Sequence, residues 1–167
     1  MEDYGFGDSA TLLARAEKAV HRALELAPDS AQAHTSLGLL VSTSRDGPAS
    51  LREFERAIDL QPGYADAHNW HSWVSLLTGR ADAALKSATR AVRLNPLSAE
   101  AVSNLALSYI AVGNPESGLI EARRASELSP GYTSAGYYQG ICLCELGLYD
   151  EAARVPTPLS LPGGVRA

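Results

Sequence analysis

Leu26-Ala27-Pro28-Asp29, Leu60-Gln61-Pro62-Gly63, Leu94-Asn95-Pro96-Leu97 and Leu128-Ser129-Pro130-Gly131 are four versions of one phrase, and their prolines stand 34 residues apart each time. Proline has no amide hydrogen and disfavours a helical residue before it, so each one stops a helix and sets the turn into the next. A fixed period in the range of about 20–50 residues marks a solenoid, where a unit cannot bury its apolar face alone and stacks on its neighbours. The phrase therefore predicts an all-α array of stacked units.

Counting from three residues after each proline gives units 31–64, 65–98 and 99–132, then an incomplete unit 133–155. Ahead of them lie a lead, 1–8, and a half unit, 9–30, and an irregular tail, 156–167, follows. Small residues recur at the eighth column (Gly38, Ser72, Ala106, Gly140), the twentieth (Ser50, Ala84, Gly118, Ala152) and the twenty-seventh (Ala57, Ala91, Ala125). They let two antiparallel helices approach closely, while Leu37, Phe54, Ile58, Leu105 and Tyr109 fill the space around them. Gly79, Gly113 and Gly147 fall between the helices of a pair, where a left-handed C-cap wants glycine. In the first unit the break is Asp46-Gly47-Pro48.

The helices are predicted over 9–26, 31–43, 48–60, 65–77, 81–94, 99–112, 115–128 and 133–146. The first is a second helix without its partner, because Ala16, Val20, Ala23 and Leu26 occupy second-helix columns and Pro28 follows on time. The last unit begins well, but its second helix breaks at Val155-Pro156-Thr157-Pro158. Neither end carries a polar capping helix, which solenoids usually need for solubility.

The pattern resembles the tetratricopeptide repeat, whose phrase is W-x2-L-G-x2-Y, then A-x3-F, then P. The third unit reads Val102-x2-Leu105-Ala106-x2-Tyr109, then Gly118, Ala122 and Pro130; the first reads His34-x2-Leu37-Gly38-x2-Val41, then Ser50, Phe54 and Pro62. The resemblance covers roughly residues 11–153. It implies an α-solenoid of antiparallel helix pairs, a right-handed superhelix whose first helices line a concave groove.

Composition narrows the function. The 167 residues carry a net charge of −5, which argues against nucleic acid as a partner. No apolar run is long enough to span a bilayer, and the acidic Met1-Glu2-Asp3-Tyr4 start has neither the positive segment nor the apolar stretch of a secretory signal. Cys142 and Cys144 are two apart on one predicted helix, so their thiols diverge, as suits a reducing cytoplasm.

Chemistry-bearing clusters are few. His68-Asn69-Trp70-His71 places two histidines on one helical face; such a pair can bind metal but needs further ligands, and no Cys or carboxylate pair is clearly placed to supply them. The columns they occupy are ones where helices pack, so a packed pair is the expectation. No phosphate loop, nucleophile elbow or metal set is present. The reading is non-enzymatic, with no cofactor and no metal.

The groove columns implied by the resemblance hold no Lys or Arg. Family members that clamp acidic tails use Lys, Asn and Arg there, and only Asn69 and Asn104 have counterparts, so a carboxylate in the groove would meet no cation. The candidate peptide-binding residues are Asn69, Trp70, Trp73, Asn104, Leu107, Ile110, Tyr138 and Ile141, with Leu76 beside them and Asp66, Glu100 and Glu145 at the edges. Trp and Tyr are enriched at interface hot spots; alternatively, the two tryptophans pack between neighbouring first helices. Trp73 is expected to face the groove more than Trp70, and Asn104 to hold a peptide backbone through its amide. Lys86, Arg90, Arg93, Arg123 and Arg124 sit instead on second helices, mixed with acids on the expected convex face.

Two functional readings follow. The leading one is a scaffold that takes an apolar, neutral or weakly basic peptide or helix in its groove. The other is self-association through incomplete ends, where Leu12, Leu13, Ala16 and Val20 have no first helix to cover them. A regulatory array cut from a larger bacterial signalling protein is a further reading, by analogy alone.

Overall fold

The computed structural model describes residues 9–155; the expected lead, 1–8, and tail, 156–167, lie outside that range. Every regular element in the described residues is a helix. α1 (Ser9–Leu26) stands alone, followed by the pairs α2 (Ala31–Thr43) with α3 (Gly47–Leu60), α4 (Ala65–Leu77) with α5 (Ala81–Leu94), and α6 (Ala99–Ala111) with α7 (Pro115–Leu128). The last pair is unequal: α8 (Thr133–Glu145) is followed by α9 (Tyr149–Ala152), a single turn. The expected boundaries differ from these by one residue at three helix ends.

Pro28, Pro62, Pro96 and Pro130 occupy equivalent turns between units. In each, the amide two residues after the proline donates to the carbonyl of the residue before it: Ser30 to Ala27, Tyr64 to Gln61, Ser98 to Asn95 and Tyr132 to Ser129. Two of these turns are tied down by the histidine six residues on. His34 Nε2 donates to Pro28 O at 2.9 Å and His68 Nε2 to Pro62 O at 3.1 Å. The third unit has Val102 in that column, and Arg124 Nη2 takes over by donating to Pro96 O at 2.7 Å.

Within the pairs, Gly79, Gly113 and Gly147 all adopt φ 75°, the left-handed conformation that costs a residue without Cβ nothing. The equivalent position of the first unit is Arg45, at φ 60°. The Asp46-Gly47-Pro48 break does other work there. Asp46 caps α3 by accepting from the Ala49 amide, and a Cβ on Gly47 would sit 2.4 Å from Thr78 Cγ2. Ser30, Ser98 and Asn114 cap their helices in the same way.

The core runs along the stack rather than filling a centre. Ala57, Ala84, Ala91, Ala106, Ala122 and Ala125 are fully buried, as is Phe54. A Cβ on Gly38 would lie 2.7 Å from Phe54 Cε1, so only glycine lets the α3 ring reach α2 this closely. Ser50 Oγ donates to Gly38 O at 2.7 Å across the same contact. Consecutive first helices (α2, α4, α6, α8) touch one another directly, whereas consecutive second helices do not. That asymmetry curves the array, with first helices inside and second helices splayed outside.

Candidate functional site

α2, α4, α6 and α8 form the inner wall, and none of them contains Lys or Arg. Among the expected groove residues, Trp70 and Trp73 are half-buried against Leu51, Phe54 and Val74. Each tryptophan thus packs on its neighbours and still presents part of its ring. Leu107, Ile110 and Ile141 are likewise half-buried, around Ala106, Ala122 and Tyr138.

Asn69, Asn104 and Tyr138 are buried. Asn104 Nδ2 donates to Asn69 Oδ1 at 2.8 Å, and Asn69 Nδ2 donates to Glu100 Oε1 at 3.0 Å. This amide ladder ties α4 to α6, so the Asn104 amide is engaged inside the array instead of extended as a free grip on a peptide backbone. Beside the ladder a small cleft of about 150 Å³ is lined by Asp66, Trp70, Asn95 and Glu100. Tyr138 packs its ring 5.7 Å from that of Tyr137, and burial, ahead of its tyrosine neighbours, raises its pKa. The exposed partner of that pair is Tyr137, at 59%. Leu77, on the groove columns of α4, is 67% exposed. Neither is among the groove residues selected from the sequence, because column position alone does not say which of two adjacent side chains the next helix covers.

The histidine pair is packed. His71 Nδ1 lies 2.8 Å from Ser87 Oγ and its Nε2 3.8 Å from Glu55 Oε1, while His68 holds the Pro62 turn. Burial lowers the pKa of both; Arg90 adds to this at His68, and Glu55 opposes it at His71. Among the described residues no cluster of three His, Cys, Asp or Glu side chains forms a metal site. Cys142 is buried and Cys144 exposed, both unbridged, and burial, then Glu145, pushes the Cys142 thiol up to about 11. No helix of the described residues is long and apolar enough to cross a membrane.

The family model of the tetratricopeptide repeat matches residues 42–99 and 76–133, which together span more than half the chain. The chain belongs to the tetratricopeptide repeat family. No curated protein matches it. Its fold is that of solved tetratricopeptide solenoids. The MamA protein is 20% identical, with 88% of this chain and 80% of that chain covered and a TM-score of 0.74. YrrB, described as a TPR protein with an unusual peptide-binding site, is 23% identical over 80% of this chain and 69% of its own, at a TM-score of 0.70. PilF of Pseudomonas aeruginosa is 19% identical over 88% and 67%, at 0.77. At these identities the likeness is one of fold. Tetratricopeptide arrays are scaffolds for protein–protein interaction.

Proposed function

We propose that the concave face binds an apolar, neutral or weakly basic peptide or helix. The observation that carries this reading is the composition of the inner wall. Half-buried Trp70, Trp73, Leu107, Ile110 and Ile141, with exposed Leu77 and Tyr137, make an apolar strip without a cation, edged by Asp66 and Glu100. Partly covered aromatic rings that a ligand can finish burying are what interface hot spots are made of. The Asp66–Glu100 cleft beside Trp70 suits a Lys or Arg side chain of the ligand, whereas an acidic tail would meet only carboxylates and engaged amides. The free thiols fit a cytoplasmic setting. YrrB offers precedent for a peptide site on this fold.

The test is capture of partners by the intact protein and by a Trp73→Ala, Tyr137→Ala double variant. Tyr137 is chosen because replacing buried Tyr138 would perturb packing as well as the surface. Partners using the groove are lost from the variant; equal recovery on both baits means the concave face is not the site. A second reading, self-association through α1, draws on Leu12 at 51% and Leu13 at 44% exposure. Light scattering at increasing concentration tests it, with a constant monomer mass counting against it.

A further inference from the structure

A wide cleft lies on the other side of the array. Because α3 and α5 do not touch, a cleft of about 780 Å³ opens between them on the convex face, floored by His68 and His71 of α4. Its walls include Ile58 of α3 and Leu85, Lys86, Arg90 and Arg93 of α5. The three cations follow one another at i, i+4 and i+7, on one face of a helix. With a rise of about 1.5 Å per residue, the outer two stand about 10 Å apart along the axis.

Three other arginines of the second helices are held in ion pairs, whereas Arg52 makes none among the described residues. Arg56 pairs with Asp29, Arg123 with Glu151 and Arg124 with Glu121, all at 3.0–3.2 Å. Among the described residues Lys86, Arg90 and Arg93 make no ion pair. One carboxylate lines the cleft, Asp82 at the start of α5, and a second, Glu55, lies 3.8 Å from His71 Nε2. Three cations therefore outnumber two acids around the cleft, in a chain whose net charge is −5. Arg90 is half-buried, so its guanidinium is held toward the cleft instead of ranging through solvent.

We propose that this convex cleft is a second binding surface, separate from the groove, that takes an acidic peptide segment of a partner protein. An extended segment rises about 3.3 Å per residue and turns every second side chain to one face, so carboxylates two residues apart stand about 7 Å apart on that face and reach two of the three cations. A leucine-sized side chain next on the same face packs on Ile58 and Leu85. No Phe, Tyr or Trp ring, on which nucleic-acid bases stack best, lines the cleft.

The probe is a fluorescein-labelled Glu-Leu-Glu-Glu-Leu-Glu peptide, titrated with the full chain by anisotropy, with backbone amide NMR shifts locating the contact. We expect binding that weakens with salt, shifts over residues 85–93, and a loss of about tenfold or more in affinity in a Lys86→Glu, Arg93→Glu variant. Both side chains are exposed, so the variant should keep its fold, which circular dichroism checks; Arg90→Gln provides an independent variant. Trp73→Ala should leave this binding unchanged, which keeps the result apart from the fate of the groove. Undiminished affinity in both cation variants, shifts confined to the first helices, or no binding at millimolar peptide would overturn the proposal. So would an oligothymidylate that displaces the peptide at equal concentration, since that marks a polyanion surface.

Discussion

Gly38 and Gly140 stand at the same column of two units, three repeats apart, in opposite surroundings. At Gly38 a second helix closes over the first, and a Cβ would meet the Phe54 ring at 2.7 Å. At Gly140 nothing lies within 4 Å, because the helix that should close over it is the single turn α9. A repeat sequence writes the same small residue in both places. The contact that makes it necessary exists only where a full second helix follows. The interior hairpin α2–α3 and the terminal hairpin α8–α9 therefore differ in energetics while sharing their sequence pattern.

The largest expected effect contrasts the aromatics of these two hairpins. Phe54 is wholly buried, and Phe54→Ala should cost about 3–5 kcal/mol, since it removes the ring and leaves a cavity that packed helices cannot collapse. Tyr149 of α9 is 69% exposed, and Tyr149→Ala should change stability by no more than about 0.5 kcal/mol. Urea unfolding of both variants checks this. A similar loss in the two would mean that the terminal hairpin is closed in solution by something beyond α9.

The glycines themselves give a sharper contrast, because here the sign should change. Gly38→Ala should destabilise by about 1–3 kcal/mol, because the methyl group drives Phe54 off its position in a filled core. Gly140→Ala should stabilise by about 0.5–1 kcal/mol, through the restricted freedom of the unfolded chain and the higher helix propensity of alanine. Opposite shifts in unfolding midpoint sustain the comparison, and a loss at Gly140 would break it.

Much of this architecture was legible in the sequence, for a physical reason. Prolines that stop helices, small residues where helices cross and glycines at left-handed caps act locally, so a period of 34 residues made nearly every helix boundary legible. What was not legible depends on what lies across the stack. The Asn104–Asn69–Glu100 ladder joins residues 35 and 31 apart, and it turns two expected peptide contacts into ties between helices. Arg45 holds a glycine's conformation with no glycine to announce it. The convex basic residues were read as a solvated face mixed with acids, and only the packing shows that three of them border an open cleft.

The second unit allows a test through pH. Burial lowers the pKa of His68 and His71, so both stay neutral in the folded chain at pH values where an unfolded histidine, near 6.5, already gains a proton. The unfolded state then binds more protons than the folded one, and stability falls as pH drops below about 6.5, levelling off once the folded-state histidines titrate as well. Melting temperatures between pH 7.5 and 5 should decline, and less steeply in His71→Gln. An equal slope in that variant would show that His71 is not a source of the decline.

The smallest effect concerns the fifth column, where interior and end diverge once more. Thr35, Asn69 and Ser103 are buried there, because the first helix of the next unit covers them, while Tyr137, with no unit beyond it in the described residues, is exposed. Thr35 and Asn69 satisfy their polar atoms, Thr35 by donating to Ala31 O at 2.9 Å and Asn69 through the ladder. Ser103 Oγ does not: it is the one buried side-chain polar atom among the described residues without a partner. An unpaired buried hydroxyl carries a desolvation cost that its removal abolishes, and alanine fits in its place without strain. Ser103→Ala should therefore leave stability unchanged or raise it by up to about 1 kcal/mol, although the residue is itself wholly buried. A clear loss in the unfolding midpoint would mean that the hydroxyl has a hydrogen-bond partner in solution, such as a water between α6 and α8.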